Sequence, residues 1–153
     1  MALNLDLCGI QLDFAVHNYK PSAENDRFTK WCNVDFHIRS GNWLNFQIDG
    51  ELLMNDEVDE ILSRIEDILD GSVGDPSVWE CVEPDFRFTF HPPKDLTKDP
   101  RYAYIAPGHE IEDIKLEWSV YFWNEGLTEN RLTLVLSRRD IVALQQYLIS
   151  VVK

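Results

Sequence analysis

One stretch constrains the chain more than any other: Trp43 to Gly71, WLNFQIDGELLMNDEVDEILSRIEDILDG, where an alternating strand runs straight into an amphipathic helix. Val58, Ile61, Leu62, Ile65, Ile68 and Leu69 fall at i, i+3, i+4, i+7, i+10 and i+11, a single apolar stripe at helical period. Asn55 suits the N-cap, since its side-chain oxygen can accept from an unpaired first-turn amide. Gly71 stands where a residue able to take positive φ ends a helix. The other face carries Asp56, Glu57, Asp59, Glu60, Glu66, Asp67 and Asp70, relieved only by Arg64. Such a helix must bury its stripe under other elements while showing negative charge to water.

The remaining segments read mainly as strands that supply the cover. Leu3, Leu5 and Leu7 alternate with polar residues, and after Gly9 the alternation resumes at Ile10, Leu12, Phe14 and Val16, giving two strands or one strand bent at a glycine bulge. Lys20 to Thr29 is a polar loop. Cys32, Val34, Phe36 and Ile38 form one face of a strand, and Ser40 to Asn42 turns it into the strand from Trp43 to Asp49. Beyond the helix, Gly71 to Pro76 breaks the chain, Val78 to Val82 is extended, and Phe86, Phe88 and Phe90 alternate as the next strand. Pro92 to Glu110 is a long proline-rich loop, and loops of that length are often functional. Ile114 to Phe122 alternates, Asn124 to Asn130 turns, and Leu132, Leu134 and Leu136 form the last strand. Ser137 with Asp140 resembles a capping box opening a helix that buries Ile141, Leu144, Leu148 and Val151.

Residues 31–69 and 114–152 therefore both read as strand, turn, strand and helix, a loose internal echo. The expected fold is a single α+β domain over residues 1–153, with an antiparallel sheet of about six to seven strands and two amphipathic helices, at about 55–70 and 138–152, on one face.

Composition narrows the function. With 27 acidic against 14 basic residues the net charge is −13, which repels phosphate backbones and anionic lipid. Nucleic acid and membrane are excluded as expected direct partners; a basic protein surface is favoured. Cys8, Cys32 and Cys81 are odd in number and show no CxxC spacing, so neither a disulfide framework nor a zinc site is expected. His17, His37, His91 and His109 are scattered, and no metal or cofactor is expected. The N-terminus lacks the pattern of a signal peptide, and no apolar run approaches the length of a membrane span, which points to the cytoplasm. No GxSxG, HExxH, P-loop or GxGxxG occurs, and Ser63, Ser137 and Ser150 are explained by their helices. The i, i+4 carboxylate pairs Asp56/Glu60 and Glu66/Asp70 lie on a solvated face, which does not push two pKa values apart as acid and base catalysis needs. No catalytic residue is assigned. Trp118 is in phase with its strand's core face; Trp31, Trp43 and Trp123 are out of phase, and loop cover is the expectation over a partner surface.

The run from Trp43 to Gly71, followed by WECVEPDFRFTF, LEWSVYFW and RLTLVLSRRDIVALQQYLISVV, resembles the WapI-type immunity family of bacteria. The points of likeness are the acid-leucine pair Glu51 and Leu52 ending a strand, the acidic helix, and the strand opened by Glu83, Pro84, Phe86 and Phe88. The resemblance implies a small cytoplasmic, non-enzymatic protein that neutralises a cognate toxin, often a nuclease domain at the C-terminus of a large secreted or wall-associated polymorphic protein. The loop Pro92 to Glu110 departs from the shorter connection expected, either as an insertion that sets partner choice or as a lid over the sheet's second face. Partner contact is assigned to Asp59, Glu60, Glu66 and Asp67 on the helix and to Arg101, Tyr102 and Tyr104 in the loop. The alternatives are an interaction or regulatory domain with a different partner and, third, an enzyme whose site no linear motif reveals.

Overall fold

A computed structural model describes residues 1–21 and 30–153, so most of the loop expected over Lys20 to Thr29 lies outside the described residues. The first half is an antiparallel meander, β1 (Leu3–Leu7), β2 (Ile10–His17), β3 (Trp31–Ser40) and β4 (Leu44–Met54), which passes directly into α1 (Asn55–Asp70). The second half repeats that plan with β5 (Ser77–Glu80), β6 (Phe86–His91), β9 (Lys115–Trp123) and β10 (Leu127–Leu136), which leads into α2 (Arg138–Val152). A small ribbon, β7 (Lys94–Asp95) with β8 (Ile111–Glu112), interrupts the second meander between β6 and β9.

The α+β class with antiparallel strands and two helices is as expected, but the single sheet is not. Ten strands are found among the described residues, in two four-stranded sheets and the ribbon. The sheets face one another ring against ring: Phe14 of β2 meets Trp118 of β9 edge-on at 4.9 Å, and Phe36 of β3 lies 5.2 Å from Phe86 of β6. Each helix touches strands of both sheets, α1 on β4 and β6 and α2 on β1, β9 and β10, and the helices also pack on each other. The loose echo of the sequence is thus the topology itself, a four-stranded meander and helix made twice.

Local chemistry explains the element boundaries. Gly50 does not end its strand; with φ 146° it sits in a bulge where β4 gains a residue on β3, and pairing runs on to Met54. Cys8 and Gly9, both at positive φ, make the tight turn that separates β1 from β2. The last hairpin turns at 124–126, and residues 127–130 belong to β10 as an irregular stretch whose register shifts before Arg131. The helix caps follow expectation at one end and differ at the other. Gly71 closes α1 in the left-handed conformation, φ 77°, with its N–H donating to the Asp67 carbonyl. Its N-cap is Met54, not Asn55: the Met54 N–H donates to Glu57 Oε1 at 3.0 Å. At α2 the expected pair forms, with the Ser137 N–H donating to Asp140 Oδ2 at 3.1 Å.

Candidate partner-binding surfaces

Burying the α1 stripe fixes which way its acids face. Val58, Ile61, Ile65 and Ile68 are in the core, so Asp59 and Glu66 are exposed while Glu60 and Asp67 are half-buried. Asp59 accepts the Tyr19 hydroxyl at 2.5 Å, Glu60 pairs with Arg64 at 2.8 Å, and the Asp67 carboxylate lies 3.3 Å from the Ser72 hydroxyl. Three of the four sequence-assigned acids are therefore held in place rather than swinging free. The Asp59 carboxylate and burial together push the Tyr19 hydroxyl's pKa up, burial being the larger cause.

Glu57 corrects the sequence reading. It is 2% exposed and turned inward, one carboxylate oxygen on the Met54 N–H and the other on the Val82 N–H at 2.8 Å. Burial raises its pKa above the usual carboxylate range, against the lowering effect of those two amide bonds. Cys81, beside it, is raised too, by burial first and by Glu57 second. Cys32 is pushed up to about 11 by burial, so its thiol stays protonated at neutral pH. Glu57 is a clamp from the start of α1 to the 81–85 segment of the second half. Next to it Asn55, fully buried, accepts from the Lys30 N–H at 3.1 Å and donates to the Lys20 carbonyl at 2.9 Å.

The loop assigned to partner contact is a self-bonded projection. Leu96 N–H donates to the Glu110 carbonyl at 2.8 Å, and Asp99 holds both Lys94, at 2.8 Å, and Arg101, at 2.7 Å. Those two cations drive the Asp99 carboxyl well below the usual range. Arg101 is exposed, and Tyr102 and Tyr104 are 44% and 80% exposed. No hydrogen bond or ion pair among the described residues joins this projection to α1. Of the three out-of-phase tryptophans, Trp43 is 69% exposed and Trp123 50%, so the expected loop cover is not found for these two, whereas Trp31 is half-buried; Trp118 is in the core. Close in the chain to these two tryptophans, the rings of Phe46 and Phe122 meet at 5.1 Å. Trp123 is tied down by its indole N–H, which donates to Asp85 at 2.7 Å.

Sequence reasoning missed one further surface, the outward face of the second sheet. Arg87, Tyr121 and Arg131 point away from the core because Phe86, Phe88, Trp118, Val120, Leu132 and Leu134 point into it. Arg131 pairs in register with Tyr121, donates to its phenolic oxygen at 2.9 Å and lies over its ring. The Arg87 guanidinium beside the same phenol holds its pKa below the usual tyrosine value. Strand parity alone marks these residues as outward; only the pairing register brings them together. Among the described residues no cluster of His, Cys, Asp or Glu is arranged to hold a metal ion.

The molecule defined by these features is an α+β protein of two packed meander-and-helix halves, with charged and aromatic surface on several sides. The Immunity protein WapI-like family is matched over residues 5–153, and the chain belongs to that family. No curated protein matches it as a relative.

Proposed function

We propose that the chain is a cytoplasmic immunity protein that binds a cognate toxin domain by direct, non-enzymatic contact and so neutralises it. Family membership across residues 5–153 is the observation that carries this reading. Charge supports it: at −13 overall, with the α1 acids fixed outward, the surface suits a basic partner and steers its approach. A nuclease domain fits as that partner, because a surface built to hold phosphates is basic and an acidic protein competes for it. In this reading Asp59, Glu60, Glu66 and Asp67 set the encounter, and Arg101, Tyr102 and Tyr104 make the lasting contact.

Co-expressing the chain with the product of the adjacent upstream gene tests the proposal. An equimolar complex, association that slows steeply with added salt, and survival of cells carrying the toxin are expected. Absence of a complex together with absence of protection would overturn it, leaving an interaction domain with a different partner.

A further inference from the structure

The groove on the outward face of the second sheet has features that the immunity reading does not use. It encloses about 580 Å³ between the 81–85 segment, with Pro84 on one side, and Leu127 to Glu129 on the other. Its floor is Arg87, Tyr121 and Arg131, with Glu80 and Glu129 at the margins. The walls are fixed by backbone. Tyr121 N–H donates to the Asp85 carbonyl at 2.9 Å, and Thr128 Oγ1 donates to the Phe122 carbonyl at 2.6 Å.

The floor holds more hydrogen-bond donors than it has partners for. Arg131 has no carboxylate within 4.0 Å among the described residues, in a chain where acids outnumber bases 27 to 14. Arg87 is ion-paired with Glu80, Nε to Oε1 at 3.5 Å on a side chain 69% exposed, and its guanidinium also lies against the Tyr121 phenol, but its buried Nε–H has no hydrogen-bond partner. Tyr121 accepts from Arg131, which leaves its own hydroxyl hydrogen available to donate. Two guanidiniums and a phenol facing one space suit a planar oxyanion that takes paired N–H donors.

We infer that this groove is a carboxylate-binding site that receives an acidic side chain presented by a protein partner, held between Arg87, Tyr121 and Arg131. Two observations favour a side chain over a free small acid. The groove is open along the sheet, and its apolar margin, Leu127 at 44% exposure with its register partner Trp123 at 50%, gives the residues flanking the acid something to cover. The protein's net charge also repels a free anion at long range, whereas these two cations act at contact, inside a screening distance of about 8–10 Å. The site would therefore fix the register of a docked partner rather than attract it.

The experiment uses the full chain and follows the Arg87 and Arg131 Nε–H resonances by NMR. Three probes are titrated: an acetylated, amidated Leu-Asp-Leu peptide, sodium succinate, and sodium chloride at matched ionic strength. The peptide is expected to shift both resonances saturably and to bind at least about tenfold more tightly than succinate. Arg131→Gln should abolish the response, and Tyr121→Phe, which keeps the ring under Arg131, should weaken it several-fold. If succinate binds as tightly as the peptide, the site serves a free small acid and the inference is wrong. It is equally wrong if chloride gives the same shifts or if Arg131→Gln responds like the parent chain. None of these outcomes bears on toxin binding, so the two proposals stand or fall separately.

Discussion

The two halves of this molecule share a plan and differ in how their helices are joined to it. Each helix begins at the end of a meander, and in each the third helical residue is an acid that accepts the N-cap amide: Glu57 for α1 and Asp140 for α2. Among the described residues Asp140 bonds only within its own turn, to the Ser137 amide and, at 3.0 Å, the Ser137 hydroxyl. Glu57 is buried and reaches across to the Val82 amide of the second half. One motif serves as an exposed local cap and as a buried link between halves. A capping pattern in a sequence therefore says where a helix starts, and burial decides how much depends on it.

The largest expected effect tests that contrast directly. Glu57→Ala leaves the Met54 and Val82 amides without their acceptor beside buried Cys81, and should cost roughly 2–4 kcal/mol of folding stability. Urea denaturation measures it. A loss no greater than that of an exposed cap would show that the link between halves is energetically idle.

Acid dependence separates the halves next. Glu57 is held above the usual carboxylate range, so its favourable contribution is complete below the unfolded-chain pKa and is lost as pH rises through the folded value. Asp113, paired with Arg138 at the start of α2, is held below that range, so its contribution is present above the unfolded-chain pKa and is lost as pH falls through the folded value. The stability difference between the parent chain and Glu57→Gln should therefore shrink as pH rises from acid to neutral, and that with Asp113→Asn should grow. Denaturation midpoints across that range check both; parallel curves would refute the contrast.

How much of this was legible in the sequence follows from what periodicity encodes. The α1 stripe and the inward phases of Phe86, Phe88, Phe90 and Trp118 were legible, because burial imposes a period on residues close in the chain. The number of sheets was not: alternation marks an inward face, and two sheets facing one another produce the same alternation as one sheet under helices. Glu57 does carry a signal of its burial, since it lies at i−4 from Ile61 and i−8 from Ile65, in line with the buried stripe. The groove had almost none. Arg87, Tyr121 and Arg131 meet through strand pairing across three strands, and register between distant strands is not written in local pattern.

The halves also differ in the surface each offers a partner, and the expected effects there are smaller. The first half presents the α1 acids and the second the ribbon with Tyr102 and Tyr104. Reversing Asp59, Glu60, Glu66 and Asp67 to lysine should slow toxin association several-fold, because exposed charges act mainly on encounter. Two of those acids hold Tyr19 and Arg64, so circular dichroism must first show the variant folded. Tyr102→Ala with Tyr104→Ala should instead speed dissociation, since aromatic anchors act on residence time. Surface plasmon resonance resolves the two rates. Indifference to both sets would move the interface to the surface carrying Trp43 and Trp123.

The smallest effect is expected at the second helix cap. Asp140→Ala removes the acceptor of the Ser137 amide, but that amide lies in an exposed turn, where water can replace the carboxylate. The favourable interaction of an acid with the helix N-terminus is lost as well, and it is modest at a solvated site. The cost should be about 0.5–1 kcal/mol, with little change on going from low to high salt beyond that of a surface charge. Combined with Glu57→Ala, the two losses should add, because one acid spans the halves and the other bonds only within its own cap. A double variant markedly less stable than that sum would mean that α1 and α2, which pack on each other, share their N-terminal anchoring, and that the two halves are not the independent units their repeated topology implies.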